Sequence, residues 1–385
     1  MHDLAAGLGR LSDNGLLRTR RIRDFVAGTH DLIDGRPLLA FNSNDYLGLA
    51  ADPRLIEALV AGARRFGVGA GASHLAGGHH RAHHDLEERL AAFVGMERAL
   101  YFSSGYAANL AVLSSLSDGE TELFADRLNH ASLNDGLRMS RARFHRYPHA
   151  DVDALEALLV RSVKRRKIVV TDAVFSMDGD VAPLAAIASL CAREGAWLVV
   201  DDAHGFGVCG PQGRGSLAQA EISGDRVIYV GTLGKAAGVA GAFVAAHADL
   251  VESLVQLART YIYTTALPPA LAHTLLASID IIEHEQWRRE HLHQLIDLLR
   301  VRLAHAPMQL LASTTPIQPV LVGESAAAVS VSTLLEQHGF YVPAIRPPTV
   351  APGSARLRIS LSAAHRPQDV EHLCAALLEI GGGAR

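Results

Sequence analysis

The stretch AWLVVDDAHG, residues 196–205, joins an uninterrupted apolar run to two carboxylates and a histidine. Such a run, without polar alternation, is typical of a strand covered on both faces, as in a parallel sheet between layers of helices. Similar runs occur in RALYFS, KIVVTDAVF and RVIYVGTLG, and the segments DVDALEALLVRSV and APLAAIASLCAREG have the apolar spacing of helices. The sequence therefore predicts an α/β fold with a large, mostly parallel sheet flanked by helices.

The regions on either side depart from this alternation. Residues 1–45 predict an arginine-rich helix followed by a hairpin that turns at Asp34-Gly35. Beyond Pro268-Pro269, the stretch PPALAHTLLASIDIIEHEQWRREHLHQLIDLLRVRLAHA predicts one long helix, and IQPVLVG, a helix at 325–339 and ARLRISLSAAH complete a smaller α+β unit. We expect an N-terminal segment over residues 1–45, a large domain over 46–280 and a small α+β domain over 281–385.

Composition excludes several classes of function. A formal net charge of −4, with 49% hydrophobic and 20% charged residues, is ordinary for a globular protein and gives no reason to expect a nucleic-acid or membrane partner. The cysteines Cys191, Cys209 and Cys374 lack paired spacing, which predicts reduced thiols and a cytoplasmic location. The N-terminus lacks the basic start and apolar run of a signal peptide.

Lysine is almost absent from the chain. Thirty-three arginines stand against three lysines, and Lys164 and Lys167 lie in the polar run KRRK. Lys235 instead lies in the small-residue stretch GTLGKAAGVAGAF, residues 231–243. Because an amine can lose its proton and attack a carbonyl whereas a guanidinium cannot, Lys235 suggests amine chemistry rather than surface charge.

Polar residues follow several of the predicted strands. Asp201, Ser176 and Thr232 stand at or just beyond strand ends, and SSGYAAN, residues 103–109, forms a small-residue turn into a helix. Ligands of α/β sheets bind beyond the carboxyl ends of the strands, and free amides at a helix start can hold a phosphate. An amine, a carboxylate and an anion site are what pyridoxal 5′-phosphate requires, and Asp201 would keep its ring nitrogen protonated.

Three rival sites use overlapping residues. A nucleotide-binding P-loop would need glycine at Tyr229 and serine or threonine at Ala236, and the glycines of residues 67–78 follow no strand that could support a dinucleotide site. A zinc site is suggested by His79, His80, His83 and His84, which form two pairs at helical i,i+4 spacing. The zinc-hydrolase order HExxH is missing, so we predict that no metal is bound.

Seven stretches carry a resemblance to a known family: NSNDYLGL, SSGYAAN, LNHASLNDG, VFSMDGD, VDDAHGFGVCG, GTLGK and ARLRISLSAAH. With these motifs the chain resembles the α-oxoamine synthase family of pyridoxal-phosphate enzymes, nearly from end to end. The resemblance implies the fold type I, aspartate aminotransferase-like architecture. It also implies a homodimer with shared active sites, in which residues 263–265 reach the partner's site.

The resemblance assigns roles by position. Lys235 would be the Schiff-base lysine, Asp201 the partner of the pyridine nitrogen, and His130 a catalytic residue that stacks on the ring and meets the substrate. His204 and Ser176 would contact the ring oxygen and its surroundings, and Gly105, Tyr106 and Thr232 would help to hold the phosphate side. Arg358, with Asn44 nearby, would bind the amino-acid carboxylate, and Arg18 and Thr349 would bind the acyl substrate. The family usually has arginine where this chain has His74.

The stretches IYTTALPP, IQPVLVG and AIRPPTVAPGSARLR resemble the biotin-pathway subgroup of that family. That resemblance implies condensation of L-alanine with a pimeloyl thioester of coenzyme A or of a carrier protein, in which Lys235 removes the α-proton and CO2 is lost. A sister activity that joins glycine to acetyl-CoA, as in 2-amino-3-ketobutyrate ligase, is the alternative.

Overall fold

The computed structural model describes residues 2–13 and 15–382. The strands are β1 Arg23–Ala27, β2 His30–Ile33, β3 Arg36–Ala40, β4 Arg98–Phe102, β5 Thr121–Asp126, β6 Arg143–Tyr147, β7 Arg166–Asp172, β8 Trp197–Asp201, β9 Val227–Thr232, β10 Ala242–Ala246, β11 Gln309–Leu310, β12 Ile317–Gly323, β13 Phe340–Tyr341, β14 Ala344–Ile345 and β15 Ala355–Ser360. The helices are α1 His2–Asp13, α2 Pro53–Phe66, α3 Arg81–Val94, α4 Gly105–Ser115, α5 Ala131–Met139, α6 Val152–Arg161, α7 Leu184–Glu194, α8 Ser216–Gln219, α9 Ala248–Leu257, α10 Arg259–Ile262, α11 Pro269–His284, α12 Gln286–Arg302, α13 Ser325–Gln337 and α14 Pro367–Gly382.

The larger of two compact units comprises Leu49–Ser176 and Val181–Arg289 and contains a seven-stranded sheet. Its strand order is β4-β10-β9-β8-β7-β5-β6, and only β10 runs antiparallel to its neighbours within this sheet. Strands β5, β8 and β9 are buried along nearly their whole length, as expected for strands between two helical layers. The prediction of an α/β fold with a mostly parallel sheet is confirmed.

Helix boundaries in this unit follow from local chemistry. Asp151 begins α6 by accepting a hydrogen bond from the backbone N–H of Ala154 at 2.9 Å. Helix α7 ends at Gly195, whose φ of 64° is the left-handed conformation that favours glycine. These helices bury Leu155, Leu159 and Ile187 completely or nearly so, and their apolar faces thus cover the sheet that carries the strand ends.

The second unit comprises Met1–Gly48, Met177–Asp180 and Glu290–Arg385. It has two four-stranded sheets, of order β1-β2-β3-β13 and β11-β12-β15-β14. The hairpin between β2 and β3 turns at Asp34 and Gly35, both with positive φ, as the sequence predicts. The parallel pairing of β3 with β13 joins Leu39 to Phe340 across three hundred residues.

Two sequence predictions about helices are wrong. The arginine-rich stretch from Arg18 to Arg23 is not helical, because α1 ends at Asp13 and the chain then runs extended into β1. Arg21 in this stretch pairs with Glu336 at 2.9 Å, so its side chain is held by tertiary contacts. The long helix predicted beyond Pro268-Pro269 is two helices, since Glu285 leaves the helical conformation with ψ of 68°.

Within residues 2–13 and 15–382, none of the helices is long and apolar enough to cross a bilayer. Cys191, Cys209 and Cys374 are free cysteines, as the sequence predicts, and burial raises the pKa of each thiol.

Candidate active site

A cavity of about 190 Å³ opens at the carboxyl ends of the parallel strands in the larger unit. All eight residues that the sequence assigns to the cofactor line it: Gly105, Tyr106, His130, Ser176, Asp201, His204, Thr232 and Lys235. They come from different strands and turns between residues 105 and 235, and the parallel sheet brings them to one edge. This placement follows the general rule for ligand sites in α/β sheets.

Lys235 follows β9 in a tight turn. The turn is closed by a hydrogen bond from the Gly238 N–H to the Lys235 carbonyl at 2.8 Å, and Gly238 has a φ of 70° that favours glycine. The Lys235 Nζ lies 2.8 Å from Nε2 of His204, which follows β8. The amine is therefore fixed beside an imidazole that can accept a hydrogen bond from it.

Asp201 is the last residue of β8 and lies almost entirely away from solvent. Its Oδ2 accepts a hydrogen bond from Asn109 Nδ2 at 2.6 Å, and its Oδ1 accepts one from the Ala203 N–H at 3.0 Å. Two donors on one carboxylate fix its orientation and stabilise its negative charge. The carboxylate is thus held ready to pair with a cation in the cavity.

His130 caps the start of α5. Its Nδ1 lies 2.7 Å from Ser132 Oγ, and its backbone N–H donates to Asp172 Oδ2 at 2.8 Å. Burial lowers the pKa of His130, and Lys235 lowers it further, whereas Asp201 acts in the opposite direction. The imidazole is therefore favoured in its neutral form, which suits stacking on a flat aromatic ring.

The start of α4 provides an anion site at the cavity. Ser104 caps this eleven-residue helix by accepting a hydrogen bond from Ala107 N at 3.1 Å, and Gly105 and Tyr106 follow it. A side chain at Gly105 would extend toward Thr232 Oγ1, which lies 4.0 Å from the position of a Cβ there. Free N–H groups and the helix dipole favour a phosphate here. An amine, an oriented carboxylate and this anion site together fit pyridoxal phosphate.

Of the substrate residues predicted from sequence, His130 lines the cavity of the larger unit, and the other four lie in the second unit and form two groups. Arg358 on β15 is buried, and its Nη1 donates to Asn44 Oδ1 at 3.2 Å and to Ser360 Oγ at 2.8 Å. Arg18 Nη2 lies 3.4 Å from Thr349 Oγ1, although the two residues are 331 positions apart in sequence. Arg18 and Thr349 both line a cleft of about 480 Å³.

Comparison with known proteins agrees with this geometry. The family model "Aminotransferase class I and II" matches residues 36–377. A protein of Aromatoleum aromaticum named 8-amino-7-oxononanoate synthase is 60% identical over 97% of each chain, and one of Nitrosomonas europaea with the same name is 58% identical over 98% of each chain. The chain belongs to the 8-amino-7-oxononanoate synthase family.

Solved structures of 8-amino-7-oxononanoate synthase and of a related enzyme share the fold. The Francisella tularensis 8-amino-7-oxononanoate synthase aligns with a TM-score of 0.79 at 30% identity, covering 90% of this chain and 98% of that one. A serine palmitoyltransferase variant from S. paucimobilis, with a bound PLP–myriocin aldimine, aligns with a TM-score of 0.94 at 30% identity over 99% of this chain and 97% of that one. The protein is an acyltransferase that uses pyridoxal phosphate, in the fold type I architecture.

Three further residues with polar side chains line the cavity without having been identified from sequence: Asn109, Ser132 and Asp172. Asn109 Nδ2 donates to both Asp201 and Ser132 Oγ, the latter at 2.9 Å, so it acts through other side chains. Asp172 ends β7 as Asp201 ends β8, and that shared strand-end position was the signal that could have revealed it. These three residues therefore lie beside the ones that the sequence predicts to meet the cofactor.

The histidine cluster beside α3 is held mainly by internal contacts. The expected i,i+4 pairs on a helix are not formed, because α3 begins at Arg81, after His79 and His80. His83 accepts a hydrogen bond from the His80 N–H at 3.0 Å, and its other nitrogen lies 2.8 Å from the Leu267 carbonyl. Nδ1 of His74 lies 2.9 Å from Nδ1 of His79, and His74 stacks on Tyr261. Three nitrogens from His74, His79 and His83 approach within 4.8 Å, but those of His83 already have backbone partners.

Proposed function

We propose that the protein condenses L-alanine with a pimeloyl thioester, of coenzyme A or of a carrier protein, to give 8-amino-7-oxononanoate, CO2 and the free thiol. The observation that carries the chemistry is the meeting of Lys235, Asp201 and His130 in one cavity. The relatives' names support the product, since they call those proteins 8-amino-7-oxononanoate synthase.

Pyridoxal phosphate supplies a reactive carbonyl and an electron-accepting ring when it is bound. Lys235 would hold the cofactor when it is bound, and its Nζ would be the group that takes the α-proton of alanine and later returns a proton to the same carbon. His204, 2.8 Å from Nζ, orients this amine. Asp201 would keep a positive charge on the ring nitrogen, His130 would cover the ring face, and the start of α4 with Thr232 would bind the phosphate. Ser176 would lie near the ring oxygen.

Arg358 binds the carboxylate of alanine in this proposal. A guanidinium can hold a carboxylate by two parallel hydrogen bonds, which fixes the orientation of the amino acid as well as its position. Asn44 Oδ1 accepts a hydrogen bond from Arg358 Nη1 and so restrains the guanidinium. Orientation matters because it decides which bond of the α-carbon is broken.

The acyl chain of a pimeloyl thioester ends in a free carboxylate, whose burial is costly unless a cation or several donors meet it. The cleft that Arg18 and Thr349 line offers the guanidinium of Arg18 as the cation. Apolar side chains that suit a methylene chain also line it: Leu16, Leu17 and Val329. An acetyl group needs neither feature. These contacts favour the pimeloyl substrate over the glycine and acetyl-CoA alternative.

The deciding experiment measures thiol release with alanine or glycine, each paired with pimeloyl-CoA or acetyl-CoA. We expect the alanine and pimeloyl pair to be preferred. Arg18→Ala should raise KM for pimeloyl-CoA about 10- to 100-fold, the cost of one charge-assisted hydrogen bond, while KM for alanine changes little. Arg20→Ala, an exposed arginine two positions away, is the matched control. Preference for glycine and acetyl-CoA would contradict the proposal.

We further propose that the protein works as a homodimer, as its family resemblance implies. Tyr263, in the segment expected to reach the partner, leaves 70% of its surface exposed in the single chain. Light scattering on the purified protein should give twice the chain mass of 41.1 kDa. A monomer with full activity would reject the shared site.

A further inference from the structure

Asp172 occupies the strand end next to that of Asp201. The parallel strands β7 and β8 place the two residues directly opposite each other in register. Neighbouring strands lie about 4.8 Å apart, and the side chains of paired residues lie on the same face of the sheet. The two carboxyl groups are therefore neighbours on one face, at the carboxyl ends of β7 and β8. Both residues line the cavity, and both are at least 94% buried.

Hydrogen bonds tie Asp172 to the backbone of His130. Its Oδ2 accepts the His130 N–H at 2.8 Å. Its own N–H donates to Asn129 Oδ1 at 3.1 Å, and Asn129 Nδ2 donates to the Val170 carbonyl at 2.9 Å. The loop that carries His130 is therefore attached to the end of β7 through Asp172 and Asn129.

The two carboxyl groups are not equally stabilised as anions. Asp201 accepts from an amide side chain at 2.6 Å and from a backbone N–H at 3.0 Å, whereas one backbone N–H donates to Asp172. The other ionisable groups around Asp172 are His130, Lys235, Asp126 and Tyr147. Burial raises the pKa of Asp172 well above its usual range, and the charge of Asp201 raises it further.

We propose that Asp172 is a positioning residue held as a neutral carboxylic acid, which anchors the His130 backbone and leaves the negative charge of the carboxyl pair to Asp201. This inference rests on the proposed roles of His130 and Asp201 toward the cofactor. A second charge beside Asp201 would compete for the cation that Asp201 is placed to bind. A neutral acid keeps the hydrogen bond to His130 without that competition.

The test compares Asp172→Asn and Asp172→Ala with Asp201→Asn, each as the cofactor-loaded protein. The amide of Asp172→Asn has the shape of a neutral acid and can still accept the His130 N–H. We expect kcat of Asp172→Asn to fall less than about 10-fold, and that of Asp172→Ala and of Asp201→Asn to fall about 100-fold or more. Equal losses in the two Asp172 variants would overturn the proposal.

Thermal unfolding against pH gives a readout independent of turnover. An acid that is neutral in the native state and ionised in the unfolded chain, where its pKa is about 4, makes the native state less stable as pH rises. Asp172→Asn removes this effect. Its unfolding temperature, relative to that of the unmodified protein, should therefore increase between about pH 5 and pH 8. A relative decrease would show that Asp172 is ionised, and this readout holds even if the proposed substrates are wrong.

Discussion

Lys235 differs from the other two lysines in its contacts. Lys164 Nζ donates to the Gly119 carbonyl at 2.8 Å, and Lys167 Nζ donates to the Leu159 carbonyl at 2.9 Å and lies 3.5 Å from Glu194. Both amines therefore have partners away from the cavity. Lys167 lies near the start of β7 and Lys164 lies in the loop before that strand, whereas the cavity residue Asp172 is at the other end of β7. Lys235 alone among the three lines the cavity.

We expect Lys235→Ala to bind pyridoxal phosphate without a covalent link and to lose turnover by several orders of magnitude. Lys235→Arg keeps the positive charge but should be equally inactive, because a guanidinium cannot release a proton. Borohydride reduction followed by peptide mapping checks the attachment. A reduced adduct on Lys164 or Lys167 in the unmodified protein would refute the assignment.

Asp201 and Asp202 are adjacent in sequence but have different roles. Asp202 is completely buried, and it accepts hydrogen bonds from Ser216 N at 2.7 Å, Ser216 Oγ at 2.6 Å and Tyr229 OH at 2.8 Å. We expect Asp201→Asn to slow exchange of the alanine α-proton about 100-fold, whereas Asp202→Asn should leave that exchange largely unchanged. Asp202→Asn, which loses an acceptor, should cost about 1–3 kcal/mol of unfolding free energy. Proton NMR and urea unfolding separate the two outcomes, and rapid exchange in Asp201→Asn would contradict the role of Asp201.

Side chains at strand ends were predictable from sequence because apolar runs mark where strands stop. Asp201, Thr232 and Ser176 follow such runs directly. Asn109 was not predictable, since it lies one turn inside α4 and acts on Asp201 from a distance of 92 residues in sequence. A pattern within one segment carries no information about which distant side chain a polar group will meet.

The break between α11 and α12 is held by a cluster of charges at Glu285. Glu285 accepts from Arg54 Nη1 at 2.5 Å and from Arg288 Nε at 2.7 Å, and Arg288 also donates to Asp52 at 3.0 Å. The apolar spacing continues through Glu285, so the sequence predicted one helix. The break depends on partners more than two hundred residues away, which helical spacing does not record.

We expect Glu285→Gln to destabilise the protein by up to about 1 kcal/mol at neutral pH. The hydrogen bond from Arg54 holds the pKa of Glu285 below its usual range, so the stabilisation is present above about pH 4.3 and is lost as pH falls through the native pKa. Urea unfolding at neutral and acidic pH should show the difference between the two proteins close at low pH. A constant difference would show that packing, not charge, is what Glu285 contributes.

The histidines at the start of α3 are held by contacts within the protein. Burial lowers the pKa of His74 to about 3 and that of His83 to about 4, so both are neutral near pH 7 and are held by hydrogen bonds and stacking. We expect activity to survive prolonged treatment with EDTA, measured as thiol release. Loss of activity that zinc restores would overturn this prediction.

Over the chain as a whole, the class of fold was predictable and the grouping of segments was not. Alternating strands and helices indicate the parallel sheet between residues 49 and 289 from local pattern alone. The sequence does not show that Met1–Gly48 belongs to the same compact unit as Glu290–Arg385, because the pairing of Leu39 with Phe340 depends on two short strands with no distinctive pattern.

The pairing of β3 with β13 also fixes an order of events during synthesis. The chain emerges from the ribosome amino end first, at about 5–20 residues per second. Synthesis of the residues between β3 and β13 takes on the order of 15–60 seconds. During that time β1, β2 and β3 lack the strand of Phe340 and Tyr341 that completes their sheet. Throughout that interval the edge of β3 is an unpaired strand edge on the nascent chain, with which a strand of another chain could pair.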